Sequence, residues 1–169
     1  GLDNVFFLVS HKLVPPALRA LLDRQAGHID GFILPGHVSV IIGEEPYRFL
    51  AEEYHIPSCI AGFDGVEILS AVVNILEQRK MQHFYVGNTY HSVVMKEGNP
   101  VARQIMNEVY EPCDDIWRGI GMISESGLSL TGEYATYDAE IALPITLDRP
   151  SKEIKGCQCG SVLQGLIKP

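Results

Sequence analysis

What this sequence lacks narrows it first. No stretch reaches the roughly 18 to 20 uncharged apolar residues that a membrane-spanning helix needs, and the opening residues show no basic segment, apolar stretch and small-residue cleavage site in succession. The chain therefore reads as soluble and cytoplasmic, with no membrane partner. Basic charge is also scarce. Lys and Arg number 13 against 21 Asp and Glu, for a net charge of -8 and a pI near 5.1. Phosphate backbones are held by clustered cations, and none cluster here, so nucleic acid is not an expected partner. The four cysteines, Cys59, Cys113, Cys157 and Cys159, are too few and too unevenly placed for a secreted disulfide framework. They suit a reducing compartment. No Lys-bearing glycine loop, dinucleotide fingerprint or nucleophile elbow is present, and there is no internal repeat.

What is there is globular. A chain of 169 residues with 46% hydrophobic and 20% charged content can bury one ordinary core, or one domain and part of a second. Val5 to Val9 is short, apolar and rich in β-formers, which predicts a strand buried on both faces of a parallel sheet. Pro15 and Pro16 suit the start of a helix carrying Leu18, Leu21 and Leu22, with Gly27 as its stop. Ile29 to Leu34 reads as a second strand broken by Pro35-Gly36, and Pro46 can open a helix bearing Phe49 and Leu50. Ile56 to Ala61 reads as a third strand. Asp64 and Glu67 then make a capping-box-like start to a helix with Val66, Leu69, Val73 and Leu76 at helical spacing. Tyr90 to Met95 has strand composition. Asn99-Pro100 is a cap followed by proline, opening a helix with Val101, Ile105 and Val109 on one face until Glu111-Pro112. Beyond that, Gly119, Gly121, Gly127 and Gly132 predict a loop-rich crossover from Pro112 to Pro150.

Alternating strands and helices of these lengths define an α/β architecture, a parallel sheet with helices on both faces in the Rossmann-like manner, followed by that loop-rich segment. The expected division is an α/β domain over 1–110 and a glycine-rich returning segment over 111–169. Gly1 opens the chain in place of Met and Pro169 closes it soon after the paired cysteines. Both ends are therefore read as cut, with a first strand-helix unit missing upstream.

Binding sites of such sheets lie at the carboxyl ends of the strands, where Pro35-Gly36-His37 and Gly62-Phe63-Asp64 fall. His37 with Ser39 nearby can act as base, ligand or hydrogen-bond donor, while a turn histidine and a helix-capping serine would account for the same pattern. A buried structural thiol is the expectation for Cys59. Cys157 and Cys159 are soft, but a Cys-x-Cys pair offers two ligands at most and lacks zinc-knuckle spacing. His28, His55, His83 and His91 show no ligand spacing. Trp117 beside Arg118 can anchor a partner or fill a core.

Nine blocks, taken in order, resemble the HypD family: Val9 to Leu18, Gly31 to Gly43, Glu45-Pro46-Tyr47, Ala61-Gly62-Phe63, Glu97 to Pro100, Trp117 to Gly121, Ser126-Gly127-Leu128, Asp138-Ala139 and Cys157 to Gly160. The resemblance covers essentially the whole chain. It implies a cytoplasmic factor in nickel-iron hydrogenase maturation, a metallocentre-assembly scaffold more than a turnover enzyme. Such a scaffold works with a HypC-like chaperone and a HypE-like cyanide donor on an iron that carries cyanide and carbon monoxide. It also implies iron and a 4Fe-4S cluster for the intact family member. The family's Cys-Gly-Thr-His motif, its Cys-Pro-Val-Cys pair and its C-terminal cysteine cluster are not in this chain, so neither iron nor cluster is expected to be held by it alone. The positions carried over are Pro35, Gly36, His37 and Ser39, as contacts to the iron site or to a partner in a cleft near His37. Cys157 and Cys159 lie just before the family's cluster-binding cysteines, which implies a possible redox role. Where the family commonly shows Gly-Phe-Glu-Pro, this chain has Gly62-Phe63-Asp64-Gly65, leaving Asp64 with a capping duty. The competing readings are a small-molecule-binding α/β domain and a metal-dependent hydrolase centred on His37.

Overall fold

The computed structural model describes residues 4–24, 29–143, 156–164 and 166–167. It divides into two compact units, His28–Ile105 and Gly1–Gly27 with Met106–Pro169.

In the His28–Ile105 unit, β1 (Phe32–Pro35), β2 (Ser58–Ala61) and β3 (Val86–Asn88) form a parallel sheet in the order β1-β2-β3. Phe32 pairs with Ser58 and Cys59 with Gly87. All four residues of β2 are buried, as a central strand covered on both faces requires. Helices flank the sheet, so the α/β reading holds. The strand at the head of this sheet starts later than its apolar run, at Phe32, because only then does the backbone reach a pairing partner. Directly after Pro35 the chain turns into α2 (Gly36–Ile42), where the Pro35-Gly36 pair had signalled only a break. A short 3-10 turn at Glu45–Tyr47 and α3 (Phe49–Glu52) follow; Tyr47 and Leu50 are fully buried.

The helix α4 (Gly65–Met81) begins where its cap predicts, with the Asp64 carboxylate accepting from Val66 N at 2.8 Å. Its sheet-facing side is Ala71, Ile75 and Gln78. Cys59, Ala61, Ala71 and Ile75 pack as one cluster, and Cys59 is the buried thiol expected of it. The Gln78 amide is buried but satisfied: Nε2 donates to Ser58 O at 3.1 Å and Asn74 Oδ1 at 2.8 Å, while Oε1 accepts from Tyr85 N at 3.0 Å. Val66, Leu69, Val73 and Leu76, the residues that mark this helix in the sequence, lie on the opposite, exposed side. The strand composition of Tyr90 to Met95 corresponds to a turn, with Tyr90 O accepting from Val94 N at 2.9 Å; the third strand lies just before it.

Helix α5 (Pro100–Val109) starts at Asn99, whose Oδ1 accepts from Ala102 N at 3.0 Å. The His28–Ile105 unit ends within it.

The other unit carries α1 (Val14–Asp23), β4 (Tyr110–Trp117), β5 (Gly121–Leu130), a 3-10 turn at Ala135–Tyr137, α6 (Ala139–Ala142) and α7 (Cys159–Leu163). Two sequence expectations are corrected here. Residues 112–130 are not loop-rich but belong to an antiparallel pair, Tyr110 opposite Leu130 and Trp117 opposite Gly121, with a bulge between Cys113 and Asp115. Its glycines serve the turn and the bulge and do not break strands. Val5 to Val9 is no buried strand. It makes a single bridge, Phe7 with Asp138, and Phe7 and Leu8 are exposed. Apolar composition alone cannot supply the neighbouring strands that would cover it. The next segment, His11 to Leu13, does lie along β5, with Leu13 N donating to Ser126 O at 2.8 Å and Leu128 N to His11 O at 3.2 Å. The stop expected at Gly27 lies outside the described residues, as does Pro150; α1 ends at Asp23.

Candidate functional site

The carboxyl ends of the three parallel strands bring together Pro35-Gly36-His37, Gly62-Phe63 and Asn88-Thr89-Tyr90. Gly36 is there for want of space. A Cβ on it would stand 2.5 Å from Ala61 O and 2.7 Å from Tyr90 Cδ1, so only glycine lets α2 leave β1 this close to β2. The next residue, His37, is exposed, and its ring lies against that of Phe63 with centroids 4.5 Å apart and planes at 53°. Phe63, itself 70% exposed, thereby lies against one side of the imidazole and leaves the rest of the ring open to solvent or a ligand.

Ser39 does not share that exposure. It is fully buried within α2, and its hydroxyl donates to Pro35 O at 2.7 Å, a bond back to the preceding turn and not an N-terminal cap. The Tyr47 phenol is buried beside Ser39, and burial pushes its ionisation upward, an effect the Ser39 hydroxyl opposes. Of the four family positions, then, His37 is accessible, while Gly36 and Ser39 shape the backbone that presents it and Pro35 supplies the carbonyl that Ser39 holds. Glu44, Asn88 and Tyr90 were not legible as neighbours of this crest. Asn88 Nδ2 donates to Glu44 Oε1 at 2.9 Å and to Val94 O at 3.1 Å, and its Oδ1 accepts from Tyr90 N at 2.8 Å. The only sequence signal for them was the apolar run around β3, which was read four residues too late.

Cys157 and Cys159 lie in the other unit. Both are exposed and line a concavity of about 550 Å³ with Arg118, Gly119, Ser161 and Gln164. Gly119, at φ +81°, is approached by Gly160, whose Cα would stand 2.8 Å from a Cβ there, so the turn between β4 and β5 sits close on the start of α7. The Cys159 thiol is pushed above its ordinary ionisation range, chiefly by the hydrogen bond and charge of Cys157, with Arg118 pulling the other way. Two thiols in contact beside a guanidinium can ligate a soft metal as a half-site or interconvert with a disulfide. Trp117 is half-buried in β4, and its Nε1 donates to Ser126 Oγ at 2.9 Å. Among the described residues no group of three or more His, Cys, Asp or Glu side chains could hold a metal ion, which leaves the hydrolase reading without ligands. No helix of these residues is long and apolar enough to cross a membrane.

These features define an α/β protein that presents one histidine on an aromatic support at the strand ends and a thiol pair elsewhere. The family model for HypD, described as the hydrogenase formation hypA family, matches residues 1–169. The hydrogenase maturation factor HypD of Rhodobacter capsulatus is 39% identical over 100% of this chain and 46% of its own length. That of Escherichia coli strain K12 is 37% identical over 99% of this chain and 45% of its own. The chain belongs to the HypD family, and it spans about half the length of these curated relatives.

Proposed function

We propose that this chain acts in the maturation of nickel-iron hydrogenase, as part of a cytoplasmic scaffold on which an iron carrying cyanide and carbon monoxide is assembled. On this reading His37, backed by Phe63, is the contact point for that iron site or for a partner, a HypC-like chaperone or a HypE-like cyanide donor. Family membership along the entire chain supports the process. The observation that carries the site is the exposure of His37 on a rigid crest, where buried Ser39 and the tight Gly36 turn hold the backbone.

A 4Fe-4S cluster takes four ligands, usually thiolates, and Cys157 with Cys159 supply two. The described residues therefore do not make a cluster site by themselves. The pair is instead proposed to serve thiol-disulfide exchange. Closing the Cys157–Cys159 bond would release two electrons and two protons to an oxidised dithiol carrier.

The decisive experiment places His37→Ala in the gene that encodes this chain and measures hydrogenase activity in the host. Hydrogenase activity should be lost, while the unfolding free energy stays within about 1 kcal/mol because the side chain is exposed. Undiminished maturation would remove His37 from the function. Tight binding of a metabolite to the purified chain without any partner would instead favour a small-molecule-binding domain.

A further inference from the structure

Asp64 and Glu67 have the spacing of a capping box, and the structure builds only half of it. The Asp64 carboxylate accepts from Val66 N at 2.8 Å, but the Glu67 side chain does not reach back to Asp64 N. It turns toward the sheet instead. A Cβ on Gly62 would collide with Glu67 Oε2 and stand 3.2 Å from Tyr90 Cδ2, so the carboxylate fills the space over a residue that can carry no side chain. The Tyr90 ring reaches from there to Gly36, where a Cβ would meet Cδ1 at 2.7 Å. Two glycines at the ends of β1 and β2 thus make room for one aromatic ring and one carboxylate. Phe63, the residue after Gly62, lies against His37, so all four side chains gather at the same strand ends.

Thr89 ties this arrangement down. Its Oγ1 lies 3.1 Å from both Ile60 O and Glu67 O and shares its proton between them, which anchors the first turn of α4 to the end of β2. Glu67 is therefore held by its backbone, while its half-buried carboxylate takes no hydrogen bond and no ion pair among the described residues. Glu44, the other carboxylate at this edge, is by contrast held by Asn88 Nδ2 at 2.9 Å. A carboxylate that gives up part of its water and gains no donor in return is stabilised by a donor brought from outside. A cation suits it best. Ammonium and guanidinium groups bring charge together with the hydrogen bond, and the neighbouring rings of Phe63 and Tyr90 attract the same charge.

We propose that Glu67 is a specificity-determining residue of the His37 site and accepts a Lys or Arg side chain presented by the partner that docks there. The proposal rests on the reading of these strand ends as a partner site. It gives that partner its chemistry, a basic residue set beside the group that meets His37.

The test titrates the purified full-length protein at low salt with propylguanidinium, and with propylurea as its neutral counterpart, following the Gly62 and Phe63 amides by NMR. Propylguanidinium should bind about fivefold tighter, the ratio that one partly exposed ion pair supplies. Glu67→Gln keeps the shape and removes the charge. It should abolish the preference, leave the unfolding midpoint unchanged and lower hydrogenase maturation in the host at least about fivefold. Glu67→Asp, which keeps the charge but draws it back, should fall between the two. Equal binding of the two compounds, a preference that survives Glu67→Gln, or undiminished maturation in that variant would overturn the proposal. So would a lower unfolding midpoint in Glu67→Gln, which would assign the carboxylate to an ion pair within the protein. His37→Ala should leave the preference for guanidinium in place, so undiminished maturation in His37→Ala removes His37 from the function without deciding the role of Glu67.

Discussion

The two sheets of this protein solve the same problem with opposite means. β2 is buried at every position, and its neighbours include the small or aliphatic side chains of Ala71, Ile75 and Leu34. The strands β4 and β5 mix covered and exposed positions along their length and are laced with polar contacts instead. Trp117 holds Ser126, Asp114 Oδ1 accepts from Ser124 Oγ at 2.7 Å and from Glu125 N at 2.9 Å, and Lys12 pairs with Asp115. A parallel sheet covered on both faces stands on filled volume; a half-exposed hairpin stands on its cross-links.

That contrast can be broken by substitution. Ile60→Ala empties a fully buried site in β2 and should lower the unfolding free energy by about 2 to 5 kcal/mol, read from the urea midpoint. A loss near 0.5 kcal/mol would mean that the parallel sheet is not held by packing. Trp117→Phe keeps an aromatic ring but removes the Nε1 donor. Ser126 Oγ retains its own acceptor, Ile123 O at 2.8 Å, so a loss of only about 1 kcal/mol is expected. If that variant costs as much as Ile60→Ala, the hairpin has a core of its own and the contrast fails.

The thiols sharpen the comparison with the smallest energies at stake. The pKa values of Cys59 and Cys159 are both pushed upward, the first mainly by burial, the second mainly by Cys157. A raised value means less thiolate at neutral pH, so alkylation of Cys159 should rise with a midpoint above the ordinary thiol range. In Cys157→Ala that midpoint should move down, toward the range that Arg118 favours. Cys59 should stay unreactive in both proteins until they unfold. An unchanged Cys159 midpoint, followed by mass spectrometry across pH, would show that the two thiols do not interact.

The same contrast explains what could be read without coordinates. β2 announces itself as an apolar run because every residue in it is buried, and β1 does so although only Leu34 of its residues is fully covered. β4 and β5 do not, since their solvent-facing positions hold Glu111, Asp114, Ser124 and Glu125, and Pro112 is tolerable on this outer strand, where a missing N–H costs little. Val5 to Val9 misled in the opposite direction: five apolar residues in a row imply burial only where something lies on both sides. Helix α4 was legible from its cap, yet its most regular apolar spacing belongs to its exposed side, and its buried side is carried by Ala71 and Gln78, which no hydrophobic pattern singles out.

By itself the sequence determined the family, through blocks in a fixed order, and the α/β class, through apolar runs punctuated by prolines, glycines and caps. Those are local signals, set by backbone sterics and by which residues tolerate burial. Tertiary structure alone decided which member of the Pro35-Gly36-His37-Val38-Ser39 run reaches solvent. It put Ser39 inside and His37 outside against Phe63, a residue 26 positions away in the chain. It also decided that two thiols separated by one glutamine touch each other beside Arg118. Accessibility and contact depend on what packs around a residue, and that is a property of distant chain segments brought together by folding.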